Sequence, residues 1–316
     1  MTGNGPEAAR CGFKPHLIIV NRLLIVDGHA YAYRAFYAIR ELRSPDGRPT
    51  NAIYGFVKML AKMRTGLAPT HLIVVWDGGL SAERLAALPE YKAQRPEMPG
   101  DLRPQLDGMA SYLNAAGIAS FQRDDVEADD YIACLARRAV RAGMSVVIAS
   151  ADKDFMQLVS PQIGLLNPND KSEAVWTDDQ VRAKTGVSPS QIVDWLALMG
   201  DAVDNIPGVP GVGPKTAAGL LNQFGSVAAL FGRLDEVKSE KIRESLRRSA
   251  AAVRRNLSLV RLDENLPCEF APEHLVEKTP DSGQLAGLYR EWGFNGLLKA
   301  LGAGESPVDL QQSVLI

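Results

Sequence analysis

Through the first half of the chain, short unbroken apolar runs alternate with stretches whose apolar residues recur at helical spacing. Residues 23–26 (LLIV), 72–76 (LIVVW) and 146–149 (VVIA) are Val-, Ile- and Leu-rich and four or five residues long. That is the length of a strand buried on both faces, too short for a helix. The rhythm predicts a parallel sheet with helices on its faces. After about residue 175 the strand signals stop, and short helical segments with Gly/Pro punctuation run to residue 301. The pattern predicts an N-terminal extension (1–22), an α/β lobe (23–176), a helical lobe (177–301) and a tail (302–316). Inside the first lobe, residues 78–104 make an unusually long connector, of the kind that is usually functional or disordered; its Arg84, Lys92, Arg95 and Arg103 are offset by Glu83, Glu90, Glu97 and Asp101, which reads equally as a solvated connector.

With 46% hydrophobic and 23% charged residues, the chain has ordinary globular composition, which excludes wholesale disorder. Its apolar runs fall far short of the roughly 18 residues a membrane-spanning helix needs. The N-terminus carries no secretory signal pattern, so a cytoplasmic location is expected. Cys11, Cys134 and Cys268 are odd in number and far apart in sequence, which argues against a disulfide framework and predicts reduced, inert thiols. His16, His29, His71 and His274 show no zinc spacing; His29 is expected to be a local hydrogen-bonding group.

The acids change the picture most. Asp27 directly follows the first apolar run, Asp77 the second, and Asp152 with Asp154 lies just beyond the third. In an open parallel sheet, ligands bind in the crevice outside the strands' carboxyl ends. Glu127, Asp129 and Asp130 open the helical run 131–142, where a spacing of three lets Glu127 and Asp130 share a face. Asp201 and Asp204 repeat that spacing. Singly, each acid reads more simply as a turn residue or helix cap. Gathered at one sheet edge, such carboxylates repel and are driven to bind protons or cations. All-oxygen ligands favour Mg²⁺ or Mn²⁺, and two such ions about 4 Å apart suit phosphodiester hydrolysis.

Residues 206–217 (IPGVPGVGPKTA) contain Gly213-Pro214-Lys215-Thr216, which fails as a nucleotide-binding P-loop. Pro214 separates the Gly from the Lys, and no strand precedes the segment. It predicts a hairpin between two short helices. Gly211 and Gly213 allow close backbone approach, Pro214 starts the second helix, and the backbone N–H groups face a DNA phosphate with Lys215 and Thr216 alongside. The formal net charge of −2 argues against a nucleic-acid binder until the nine clustered acids are set aside. Between Arg233 and Arg261, nine basic residues face only Asp235, Glu236, Glu240 and Glu244, a stretch suited to phosphate tracking.

The motifs at 26–38 (VDGHAYAYRAFYA), 74–77 (VVWD), 91–99 (YKAQRPEMP), 126–130 (VEADD), 151–154 (ADKD) and 197–217 (ALMGDAVDNIPGVPGVGPKTA) resemble, in order and spacing, the 5′-to-3′ exonuclease domain of bacterial DNA polymerase I, in the flap endonuclease superfamily. The likeness runs from Leu23 to about Leu301. It implies a PIN-like, mostly parallel sheet flanked by helices, an arch at about 78–104, and a C-terminal all-helical lobe with a helix-three-turn-helix DNA-binding region. By that resemblance Asp27, Asp77, Glu127, Asp129, Asp130, Asp152, Asp154, Asp201 and Asp204 hold two divalent cations, directly or through water. Arg34, Lys92 and Arg95 act at the scissile phosphate, and Gly211, Gly213, Lys215 and Thr216 bind the duplex backbone. Glu83 and Leu88 depart from the family, whose members often carry aromatic residues there.

The expected activity is Mg²⁺-dependent 5′-to-3′ exonuclease and 5′-flap endonuclease cleavage by a two-metal mechanism, in replication, repair and RNA-primer removal. The expected partners are duplex DNA with a 5′ end or 5′ flap and a DNA polymerase, with no membrane, a monomeric state and a nucleoid-associated location. A PIN-type ribonuclease and a non-catalytic DNA-binding module are the alternatives. Whether the chain acts alone or as part of a longer polymerase stays open.

Overall fold

The computed structural model describes residues 21–303. The expected extension and tail fall almost wholly outside the described residues, as do Cys11 and His16.

Six strands form one sheet: β1 (Arg22–Asp27), β2 (His71–Val75), β3 (Ala119–Phe121), β4 (Ser145–Ala149), β5 (Ile163–Leu166) and β6 (Val175–Trp176). Their order is β3-β2-β1-β4-β5-β6, parallel throughout except for β6. The three apolar runs are β1, β2 and β4, the buried centre of the sheet. The other three strands are shorter or more polar and carry no comparable pattern. From β1 the chain runs to one edge through β2 and β3, then returns to build β4 on the other side. The topological switch therefore lies between β1 and β4, where open α/β sheets place their ligands.

The first lobe carries α1 (Gly28–Ala38), α2 (Asn51–Leu67), α3 (Ala82–Ala87), α4 (Arg103–Ala115) and α5 (Ala128–Arg141). The second carries α6 (Asp178–Thr185), α7 (Ile192–Met199), α8 (Pro214–Phe224), α9 (Val227–Gly232), α10 (Glu240–Leu259), α11 (Ser282–Trp292) and α12 (Asn295–Ala303). A two-stranded ladder, β7 (Gly200–Asp201) with β8 (Ile206–Pro207), interrupts the otherwise helical lobe.

Successive strand residues face opposite sides of the sheet, and the core divides accordingly. Leu23, Ile25, Ile73, Val75, Val146 and Ile148 pack with α5 and with the second lobe through residues such as Leu196, Leu221 and Leu246. Leu24, Val26, Leu72, Val74, Val147 and Ala149 pack with α1, α2 and α4. The C-terminal helices join this second face, where Leu285, Tyr289, Trp292, Phe294 and Leu297 are buried. Thus α11 and α12, which periodicity alone groups with the helical lobe, cover the back of the sheet. On the α5 side of the sheet the two lobes share one continuous cluster, because the apolar faces of α7, α8 and α10 are completed by the sheet and α5.

Candidate metal and nucleic-acid site

Each strand-end acid is placed by the chain reversal that ends its strand. Asp27 caps α1: its Oδ1 accepts from the Ala30 N–H at 3.0 Å, and its Oδ2 accepts from Ser150 Oγ at 2.7 Å across the switch point. Asp77 caps α5 by accepting from the Ala128 N–H at 3.2 Å. Its own N–H donates to His29 Nδ1 at 3.1 Å. Asp152 accepts from the Asp154 N–H at 2.9 Å and opens a 3₁₀ turn over Lys153–Leu158. Capping and clustering are therefore compatible roles for these carboxylates, since the caps orient them toward one crevice.

Asp201 and Asp204 reach the same crevice on the β7–β8 ladder. Gly200 makes this possible at φ +77, and a Cβ on Gly208 would meet the Met199 carbonyl oxygen at 2.1 Å. The two backbones approach too closely for any side chain. Carboxylate oxygens of Asp154, Asp201 and Asp204 all lie within 4.8 Å of one another, and Asp154 Oδ1 is buried with no hydrogen-bond partner among the described residues.

Electrostatics ties these residues into one cluster. Burial pushes the Asp27 carboxyl up to about 6, with Asp152 and Asp77 adding to the rise. Burial raises Asp129 and Asp154 well above the ordinary carboxylate range, and Asp152 contributes to both. Burial likewise raises Asp152, which also feels Asp204. Carboxylates so crowded hold protons unless cations replace them. An orphaned buried oxygen and an all-carboxylate donor set fit hard divalent ions.

The remaining predicted acids face differently. Glu127 and Asp130 do share a face, and Arg84 occupies it. This side chain, 8% exposed, donates to Glu127 at 3.0 Å and to Asp130 at 2.6 and 2.7 Å. It also donates to the Leu259 and Arg261 carbonyls at the end of α10, both at 3.0 Å. Asp130, which also accepts from the Asp263 N–H at 2.8 Å, is turned away from the cluster into this ion pair. Glu127 is held by Arg84, by Lys92 at 2.7 Å and by the Ser81 N–H at 2.9 Å. Burial alone would raise its carboxyl, but Lys92 and Arg84 outweigh burial and hold it below the usual range. Of the three, Asp129 is the one raised by Asp152 and Asp27, while Glu127 borders the crevice through Lys92, which also lies 3.7 Å from Asp129.

The long connector is docked against the acids. Leu88, Tyr91 and Lys92 are buried, while Glu83 is exposed. Lys92 sits at φ +55, an uncommon conformation for a side-chain-bearing residue. It is pinned by its N–H to the Asp204 carbonyl at 3.0 Å and by its ammonium to Glu127. The Lys92 ammonium is 3.7 Å from Asp129, and Arg95 donates to Asp204 at 2.8 Å. Arg34 on α1 donates to Asn169 at 2.8 Å. Gly211 (φ +83), Gly213, Lys215 and Thr216 are all exposed at the start of α8, whose N-cap, Gly213, offers no side-chain acceptor.

Arg84, Ser150 and Lys153, which pairs with Asp201 at 2.5 Å, escape sequence reasoning. A weak signal existed for Arg84: with Leu88 and Tyr91 it forms an i, i+4, i+7 set, and all three are buried.

A family model described as 5′-3′ exonuclease, N-terminal resolvase-like domain, matches residues 22–186. A second, 5′-3′ exonuclease, C-terminal SAM fold, matches residues 187–283. The chain belongs to the 5′-3′ exonuclease family. It is 39% identical over 277 residues to the 5′-3′ exonuclease of Aquifex aeolicus, covering 88% of this chain and 94% of that protein. It is 38% identical over 298 residues to DNA polymerase I of Bacillus caldotenax, covering 93% of this chain and 33% of that protein. The chain thus spans about a third of the length of the polymerase relatives it matches.

Among solved structures, T5 5′-exonuclease with bound divalent zinc ions superimposes with a TM-score of 0.65 at 24% identity, covering 90% of this chain and 99% of that one. The catalytic core of Rad2 in complex with DNA substrate gives 0.59 at 17% identity, covering 89% and 91%. Both likenesses are of fold. Among the described residues no helix is long and apolar enough to cross a membrane.

Proposed function

We propose that this family member is a Mg²⁺-dependent nuclease that cuts DNA at 5′ ends and 5′ flaps, in replication, repair and RNA-primer removal. The observation that carries the proposal is the convergence of Asp154, Asp201 and Asp204 on one point, with a buried, unpartnered Asp154 oxygen among them. These three residues would hold one ion. Asp27, Asp77, Asp129 and Asp152 line the adjoining part of the crevice and would hold the second. When bound, the two ions supply Lewis acidity toward water and toward the phosphate oxygens.

The rest of the site positions the phosphodiester. Lys92 and Arg95 bring fixed positive charge to the crevice, where it opposes negative charge developing on a phosphate. Arg34, steadied by Asn169, extends that cationic rim along α1. The exposed first turn of α8 offers backbone N–H groups to a duplex phosphate without reading bases. Exposed Lys238, Lys241, Arg247, Arg248 and Arg254, on or beside α10, continue the same electrostatic track. DNA is the substrate, a DNA polymerase the partner, and the chain acts as a monomer near the nucleoid.

The test uses a duplex with a 5′ flap labelled at the flap end, incubated with the purified chain in Mg²⁺ or in EDTA. A cut near the flap junction in Mg²⁺ only is expected. Duplex binding without any cut would overturn the proposal in favour of a non-catalytic module, and cleavage of RNA alone in favour of a PIN-type ribonuclease.

A further inference from the structure

Cys134 and Cys268 are 134 positions apart in sequence, yet the fold brings them together. Cys134 lies on α5, one turn beyond Asp130, and its side chain is fully buried. Its thiol donates to the Leu266 carbonyl at 3.3 Å, two residues before Cys268. The Cys268 side chain neighbours those of Cys134 and Tyr131, and Arg138 neighbours Cys134 from the next turn of α5. Cys268 is the more accessible of the two, at 6% exposure.

We propose that Cys134 and Cys268 form an oxidation site that closes an intramolecular disulfide between α5 and the segment following α10. The co-reactant is a peroxide. The Cys268 thiolate attacks one peroxide oxygen, the O–O bond breaks, and water leaves to give a sulfenic acid. The Cys134 sulfur then attacks that sulfur, a second water leaves, and the S–S bond forms. Overall, two thiols and one hydrogen peroxide give one disulfide and two waters, the two sulfurs losing the two electrons that the peroxide gains. Burial pushes the Cys268 thiol up to about 11, so at neutral pH the attacking thiol is protonated and closure is slow. It responds to sustained oxidation, not to a brief pulse.

The cross-link spans a junction already made by polar contacts. Asp263, in the same segment as Cys268, donates its N–H to Asp130, the partner of Arg84. A disulfide there closes a long loop between the acid-bearing helix and the end of the basic helix, which restricts the unfolded chain.

The test is made on the full chain carrying Cys11→Ser, so that only this pair remains. The protein is held in hydrogen peroxide, quenched, unfolded with an alkylating agent and mapped by mass spectrometry without reduction. The expected product is a single peptide pair joined through Cys134 and Cys268, two hydrogens lighter than the reduced pair. The melting temperature is expected to rise on the order of 5 °C and to return to its starting value with dithiothreitol. Cys268→Ser removes both effects. Two alkylated cysteines after treatment would overturn the proposal, as would sulfinic acid on Cys268 with Cys134 still reduced. The mapping itself needs no substitution at either cysteine, so it does not depend on a buried variant folding.

Discussion

Arg84 grips Asp130 through two parallel hydrogen bonds, Nη1 to Oδ2 at 2.6 Å and Nη2 to Oδ1 at 2.7 Å. Both side chains are 8% exposed, and the same guanidinium reaches the end of α10. Removing one partner leaves the other charge buried and uncompensated, which typically costs about 3–5 kcal/mol. Arg84→Gln is therefore expected to lower the unfolding free energy by about that much in urea titrations. Arg84→Lys keeps the charge but loses the fork and should fall between. A loss below about 1 kcal/mol for Arg84→Gln would show that the pair does not hold the lobes together.

The same geometry separates two acids that the sequence groups as equal ligands. Asp154 has an oxygen free within the cluster, whereas both Asp130 oxygens are engaged by Arg84. In calorimetric titrations with Mn²⁺, Asp154→Asn is expected to weaken binding at least about tenfold. Asp130→Asn, checked to be folded by circular dichroism, should keep the parent's stoichiometry. Equal losses in the two variants would contradict the placement of Asp130.

Proton linkage follows from the raised carboxyls. Asp27 titrates at about 6 in the fold against 3.8 for a free carboxyl, so the folded chain holds this proton more tightly than the unfolded one. Its contribution to stability is present below about pH 4 and is lost as pH rises through 6, by about 3 kcal/mol for this one group. Asp129, Asp152 and Asp154 shift in the same direction. In EDTA, the melting temperature is expected to be higher at pH 5 than at pH 8. Millimolar Mg²⁺ should raise the pH 8 value, because cations then take the place of protons. A melting temperature in EDTA that climbs steadily from pH 5 to pH 8 would show that these acids are not crowded in solution.

Chemistry and grip should separate by position. Lys92 stands among the crevice acids, while Lys215 lies exposed at the start of α8. With a flap substrate, Lys92→Ala is expected to lower the cleavage rate by about 10²-fold or more while changing DNA affinity less than about threefold. Lys215→Ala should weaken binding and reduce the slope of log affinity against log salt by about one. The reverse pattern would exchange the two roles.

The sequence by itself determined which segments become the central strands and where most of the acids gather. Runs such as 72–76 have no polar face and can only be buried in the middle of a sheet. An acid directly after such a run has to emerge at its end, which is why the crevice positions of Asp27, Asp77 and Asp152 were legible. The close hairpin from Gly200 to Gly208 shows the same kind of constraint: a Cβ at either glycine would run into backbone atoms, so no side chain fits there.

Only the tertiary structure decided which charge meets which. Arg84 reads as a solvated connector residue until α10 and α5 cross beside it. Asp130 reads as a ligand until that arginine claims both its oxygens. The seating of α11 and α12 against the back of the sheet, and the meeting of Cys134 with Cys268, have the same origin. Helical and strand periodicity records which face of an element is buried, but not what buries it. That partner is set by how elements far apart in the chain cross in space, and no local pattern encodes the crossing.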